Sequence, residues 1–211
     1  RVRLPDIRKG EYEGFENKLA SGDWEPDYGP ATFSSKMGVT ATGARQILIA
    51  YNVNLDTDDK SIANTIASAI RTSGLLVRDE SGAKIIGDNG KPLRKPGLFK
   101  SLQAAGWMYD EDTAQVSMNL LNHNVTGLYD VTEKIRHEAN IIGRNVTASE
   151  LVGLVPLEAM LSAGKKYHDN PGEADDRELV NAAISGLMLD KFGEFNSHSN
   201  IIEWAIKGAN E

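Results

Sequence analysis

Arg45-Gln46-Ile47-Leu48-Ile49-Ala50-Tyr51-Asn52-Val53-Asn54-Leu55 alternates along its length, with Ile47, Ile49, Tyr51 and Val53 on one side and Leu48, Ala50, Asn52 and Asn54 on the other. That period of two predicts a strand with one face buried and the other only partly so. Immediately before it runs Asp27-Tyr28-Gly29-Pro30-Ala31-Thr32-Phe33-Ser34-Ser35-Lys36-Met37-Gly38-Val39-Thr40-Ala41-Thr42-Gly43-Ala44. Its glycines and proline deny this tract regular structure, and its short hydroxyls and bare amides can approach a planar or anionic ligand closely. Composition leaves a ligand loop and an ordinary linker both open.

Working outward, Asp56-Thr57-Asp58 caps the next turn, and Ile62, Ile66 and Ile70 with Ala63, Ala67 and Ala69 predict a helix that Gly74 ends. Ala105 to Tyr109 and Gln115 to Leu121 read as an antiparallel pair around Asp110-Glu111-Asp112, and Thr126 to Ile142 as a helix. Leu151 to Val155 is the expected last strand, with Pro156 at the turn and a helix from Leu157 to Tyr167. Strand, helix, strand, strand, helix, strand predicts an α+β fold with a ferredoxin-like βαββαβ subdomain over residues 41–168 and a four-stranded antiparallel sheet. In that order the first and third strands lie side by side and the helices cover one face. Asn52, Asn54, Gln115, Ser117 and Asn119 then share the helix-free face, as a polar floor for a ligand or as a plain domain contact.

Other segments decorate this unit. Residues 1–40 read as the end of a preceding subdomain plus a connector, with Tyr12, Phe15 and Leu19 on one helix from Ile7 to Leu19. Residues 75–98 read as an inserted arm with turns at Asp79-Glu80-Ser81-Gly82 and Asp88-Asn89-Gly90. Its Arg78, Lys84, Lys91, Arg94 and Lys95 form either a solvated surface or a surface for an acidic chain. Residues 169–211 read as a helical extension, one helix carrying Leu179, Ala183 and Leu187, the other Ile201, Ile202, Trp204 and Ile206. Such terminal apolar stripes favour a homodimer.

The net charge of -7 argues against a phosphate-backbone binder, and the central strands lack exposed aromatics for base stacking, so no nucleic-acid partner is expected. No apolar run approaches the roughly 20 residues that span a bilayer, so no membrane partner is expected either. The chain has no cysteine, which fits a reducing, cytoplasmic setting. His123, His137, His168 and His198 have no carboxylate at a spacing that implies a dyad, and His137-Glu138 lacks the second histidine of a zinc motif. All four read as surface histidines, with no metal site within the chain.

The order of residues in three blocks is more specific than composition. Gly-Pro-Ala-x-Phe at 29–33 with Gly-x-Thr-x-Thr-Gly-Ala-Arg at 38–45, Ala114-Gln115-Val116-Ser117-Met118-Asn119-Leu120-Leu121, and Ser149-Glu150-Leu151-Val152-Gly153-Leu154-Val155-Pro156-Leu157 together resemble the formiminotransferase family. The three blocks also keep the family's order, and the likeness covers most of residues 5–167.

The resemblance implies transfer of a formimino group from N-formimino-L-glutamate to N5 of tetrahydrofolate, the co-substrate, in histidine degradation. It implies that Gly29, Pro30, Ala31, Thr32, Phe33, Ser34, Ser35, Lys36, Met37 and Gly38 form a folate-binding loop beside a cleft between two subdomains. Ser35, Lys36 and Met37 depart from the Pro-Ser-Trp type of sequence in mammalian members, so an aromatic stack at position 37 is absent and Lys36 is free to meet a carboxylate. Arg45 is a second anion partner or merely caps the strand. The family's catalytic histidine belongs to a stretch of the N-terminal subdomain without a counterpart here, so the expectation is a folate-holding portion that is inactive alone. A formyl donor, or a non-catalytic folate- or protein-binding module, is the alternative.

Overall fold

The computed structural model describes residues 4–22, 24–193 and 195–208. The chain divides into two compact units, Arg1–Arg45 and Gln46–Glu211.

In the first unit, the helix expected from Ile7 to Leu19 is instead two short ones, α1 (Leu4–Arg8) and α2 (Phe15–Ala20). The break has a local cause: Gly10 sits at φ 89° and Glu11 at φ 49°, conformations a right-handed helix cannot contain. Lys18 ties the halves together by donating to the backbone carbonyls of Asp6 (3.3 Å), Ile7 (2.5 Å) and Lys9 (3.1 Å) at the negative end of α1. The same ammonium lies 3.5 Å from the centroid of the Trp24 ring.

The second unit is built on β1 (Ile49–Leu55), α3 (Lys60–Ile70), β2 (Leu75–Leu76), β3 (Arg94–Lys95), β4 (Leu102–Met108), β5 (Ala114–Leu120), α4 (Leu128–Ile141) and β6 (Val146–Val152). It closes with α5 (Leu157–Tyr167), α6 (Asp176–Leu187), α7 (Ser197–Asn200) and α8 (Ile202–Gly208). The main sheet is antiparallel throughout in the order β4-β5-β1-β6, the ferredoxin-like arrangement with first and third strands central.

The alternation of β1 sets the two faces. Ile49, Tyr51 and Val53 join Val116, Met118 and Leu120 of β5 against Ala63, Ile66, Ala67 and Ile70 of α3 and Leu128, Val131, Ile135 and Ala139 of α4. Each fully buried valine, leucine or isoleucine there contributes about 1.5–3 kcal/mol. The Tyr51 hydroxyl stays satisfied at 2.8 Å from Thr132 Oγ1, and burial pushes its phenol up from the ordinary value.

Several boundaries differ from the sequence reading: β1 starts at Ile49, which leaves Ile47 of the expected buried face outside the strand and exposed, and β4 runs from Leu102 to Met108 instead of Ala105 to Tyr109. The cap of α3 is Asp59, whose side chain accepts from the Ser61 amide, one residue beyond the expected turn. The last strand is Val146–Val152 instead of Leu151–Val155, because Gly153 at φ 87° ends the sheet and Val155 leaves to form a parallel bridge with Ile201. The second tail helix is divided at Ile201 for the same reason, since that residue is committed to the bridge.

The other edges are also filled. Ser149 of β6 donates its amide to Met188 O (3.2 Å) and its hydroxyl to Leu187 O (2.5 Å), so the end of α6 covers that edge. At the opposite edge Gly106 donates to Asn64 Oδ1 (2.9 Å) and Leu102 to Thr72 Oγ1 (2.8 Å). The α5–α6 crossing is closed at Gly164, where a Cβ would stand 2.0 Å from Leu179 O.

Between α3 and β4, residues 75–98 form the short β2–β3 pair with bridges Arg78–Lys84 and Ile86–Pro92. Arg71 and Arg94 both donate to Gly74 O and hold its base.

Candidate functional site

The helix-free face of the sheet can be written row by row from the register. Trp107, Gln115, Asn54 and Ala148 stand abreast; Ala105, Ser117, Asn52 and Glu150 form the next row; Gln103, Asn119, Ala50 and Val152 the third. Four strands thus bring three carboxamides and a carboxylate into two adjacent rows, because in an antiparallel pair directly opposed residues share a face.

These groups are joined. Gln115 Nε2 donates to Asn54 Oδ1 (2.8 Å) and to Glu150 Oε1 (3.0 Å), and Asn52 Nδ2 donates to the same Glu150 oxygen (2.9 Å). A carboxylate only accepts, so both amides are oriented with their NH2 groups toward it. Asn54 and Gln115 are buried, at 2% and 3% exposure, while Asn52 and Glu150 are half-buried. The buried pair therefore holds the half-buried pair, and of these four groups only Asn54 stays clear of ligand-sized space.

That space is an open pocket of about 460 Å³ lined by Asn52, Trp107, Met108, Tyr109, Gln115, Ser117 and Glu150. Its rim is aromatic. Trp107 is mostly exposed with Lys60 Nζ 5.1 Å from its ring centroid, and Tyr109 packs edge-on against Phe192, centroids 4.5 Å apart. The second contact draws the segment after α6 over the sheet end, a long-range closure that periodicity does not reveal. Polar floor and aromatic rim suit a flat ligand that carries hydrogen-bonding edges.

Of the residues expected on this face, Asn52, Gln115 and Ser117 line the pocket; Asn54 supports Gln115 from below, and Asn119 lies in the third row, outside it. Glu150, Trp107 and Tyr109 were not among the expected site residues. Glu150 was hidden because the last strand was placed downstream of it, so its alternation with Ala148 and Val152 went unused.

In the first unit, Gly29 to Gly38 is an exposed turn structure, with Phe33 and Gly38 half-buried. Gly29 and Gly38 take φ 85° and 60°, which a side chain would strain. Gly38 donates to Ser34 O (2.7 Å), and Met37 N–H to Ser34 Oγ (3.2 Å), so the loop closes on Ser34. Tyr12 anchors it: its hydroxyl donates to Ser35 O (2.6 Å), and its ring meets Phe33 edge-on with centroids 5.3 Å apart. Pro30, Ala31, Thr32, Lys36 and Met37 are exposed, as is Arg45 at the end of that unit.

None of the four histidines lines the pocket. His137 and His198 are exposed, as expected of surface groups; His123 and His168 are half-buried, and His168 Nδ1 accepts from the Asn170 amide (3.1 Å). Among the described residues no cluster of histidine and carboxylate could hold a metal ion, and no helix is long and apolar enough to cross a membrane.

Two family models match the chain: "Formiminotransferase domain" over residues 50–207 and "Formiminotransferase domain, N-terminal subdomain" over residues 1–45. A formimidoyltransferase-cyclodeaminase of Dictyostelium discoideum is 40% identical over 210 residues, 98% of this chain and 36% of that protein. The protein of the same name from Rattus norvegicus is 38% identical over 209 residues, 98% of this chain and 36% of its own length. A glutamate formimidoyltransferase of Streptococcus pyogenes serotype M1 is 40% identical over 168 residues, 79% of this chain and 49% of that protein. The chain thus spans between 36% and 49% of the length of these relatives.

Proposed function

The chain belongs to the formiminotransferase family, and from that premise we propose that it is the folate-binding portion of a glutamate formimidoyltransferase acting in histidine degradation. The observation that carries this reading is the helix-free sheet face, where oriented carboxamides and a carboxylate floor an aromatic-rimmed pocket. An ordinary solvated face more often carries lysine and glutamate. The exposed, glycine-bounded loop Gly29–Gly38 is read as a folate-binding segment, its amides and Lys36 available to a pteridine or a carboxylate.

In the proposed reaction N5 of tetrahydrofolate attacks the protonated, electrophilic formimino carbon of N-formimino-L-glutamate and forms a tetrahedral adduct. The bond from that carbon to the glutamate nitrogen then breaks. A base takes the N5 proton, and its conjugate acid returns one to the leaving nitrogen, a double duty that suits histidine. On the family resemblance we assign that base to the N-terminal portion of the domain, and no histidine of this chain lines the pocket. The role of the present residues is alignment: holding a weakly basic pterin nitrogen against the amidine carbon.

Residues 1–40 are the end of the N-terminal subdomain and its connector, 41–168 the ferredoxin-like subdomain, and 169–211 an extension whose apolar helices serve a homodimer. Calorimetric titration of the 211 residues with tetrahydrofolate, followed by turnover assays with N-formimino- and N-formyl-L-glutamate, tests the whole reading. Binding without turnover is expected. Absence of folate binding would overturn the folate assignment, and robust turnover by these residues alone would overturn the placement of the base.

A further inference from the structure

Glu150 presents an asymmetric acceptor. Its Oε1 takes two amide donors, from Asn52 and Gln115, which occupy both lone-pair directions of that oxygen. Its Oε2 has no protein partner among the described hydrogen bonds, and no ion pair among the described residues reaches it. The pocket lining holds no lysine, arginine or histidine, and Lys60 Nζ lies over the Trp107 ring. A half-buried carboxylate fixed by two amides, with one oxygen open to a pocket, is an acceptor kept ready for an N–H-bearing ligand.

We propose that Glu150 is the specificity residue of this pocket and receives a planar N–C–N donor edge; the inference rests on the folate-transferase reading above. Two substrates of that reaction carry such an edge: the 2-amino-pyrimidinone of the reduced pterin, and the amidinium of the formimino donor. In either case one N–H meets Glu150 Oε2, and the acceptor oxygens of Asn52 and Ser117 in the same pocket are available to the other. Trp107 and Tyr109 supply the flat apolar walls that a conjugated N–C–N plane requires.

Glu150→Gln tests this cleanly. The amide oxygen can still accept from Asn52 and Gln115, so the floor keeps its hydrogen bonds, while the open acceptor becomes an NH2 donor that opposes the ligand edge. Dissociation constants are measured for wild type, Glu150→Gln and the surface charge control Glu158→Gln with two ligand pairs. The first pair is tetrahydrofolate and its 2-desamino-2-methyl analogue; the second is N-formimino-L-glutamate and N-formyl-L-glutamate.

Wild type and Glu158→Gln are expected to prefer the N–C–N-bearing member of one pair by about tenfold, the worth of one charge-assisted hydrogen bond, and Glu150→Gln to lose that preference. Loss in the first pair assigns the pterin edge; loss in the second assigns the amidinium. If tetrahydrofolate binds but Glu150→Gln leaves both preferences unchanged, the inference falls and the folate reading stands. If wild type binds neither tetrahydrofolate nor the formimino donor, both fall.

Discussion

Gln115 is the hub of the sheet-face network, and replacing it with methionine keeps the volume while removing both donors. The loss can be worked from the contacts. The bond to Asn54 Oδ1 is fully buried, so its removal forfeits about 1 kcal/mol and strands an acceptor at 2% exposure, whose desolvation costs about 1 kcal/mol more. The bond to Glu150 is to a charged group, but Glu150 is half-buried and water can replace the donor, so it adds only a few tenths of a kcal/mol. Gln115→Met is therefore expected to destabilise the second unit by about 2 kcal/mol, or about 4–8 °C in melting temperature. Urea unfolding followed by circular dichroism measures it, with Ser117→Ala as a neighbour on the same strand that makes no described side-chain hydrogen bond. Ser117→Ala should stay within about 0.5 kcal/mol of wild type. A Gln115→Met variant equally close to wild type would refute the claim that the floor is held from beneath.

Gly164→Ala should destabilise despite its better helix propensity, because the added methyl stands 2.0 Å from Leu179 O; a gain of about 1 kcal/mol from propensity is outweighed by overpacking of about 1–3 kcal/mol. Gly172→Ala, with open space around its Cβ, is the control and should be neutral in the same urea titration. Asp56 gives the pH-dependent case. Desolvation is the largest influence on its carboxyl and acts upward, but hydrogen bonds from the Asn145 backbone and side chain, with the Arg144 charge, outweigh it and hold the group below the ordinary value. A depressed carboxyl stabilises the fold above its unfolded value near 3.9 and loses that contribution as pH falls through the folded one. Asp56→Ala should therefore cost stability at pH 7, by no more than about 1 kcal/mol at so exposed a site, and the gap to wild type should close as the pH drops below about 4. For the loop, Tyr12→Phe removes the hydroxyl that holds Ser35 O while keeping the Phe33 ring contact, and should speed proteolytic cleavage within residues 29–38 without changing the melt of the second unit.

What the sequence exposed and what it concealed divide along local and long-range lines. The alternation of β1 and β5, the isoleucine stripe of α3 and the helix from Leu157 to Tyr167 are local patterns, and with their order they led to the sheet and to its polar face. Leu151-Val152-Gly153-Leu154-Val155 is more apolar than Val146-Thr147-Ala148-Ser149-Glu150, so hydrophobicity drew the last strand downstream. The true strand is polar because Ser149 bonds the end of α6 and Glu150 accepts from Asn52 at the pocket lining. Tertiary demands overrode strand propensity there. The Tyr109–Phe192 contact and the bridge from Val155 to Ile201 join residues far apart in the chain, and no window of periodicity contains both partners.

Hydrogen exchange on the 211 residues with and without tetrahydrofolate is the most direct test of whether this chain holds the co-substrate. Slowed exchange is expected within residues 29–38 of the first unit and along β5 and β6 around Gln115 and Glu150 in the second. Unchanged exchange at both places, with saturating tetrahydrofolate present, would contradict the account.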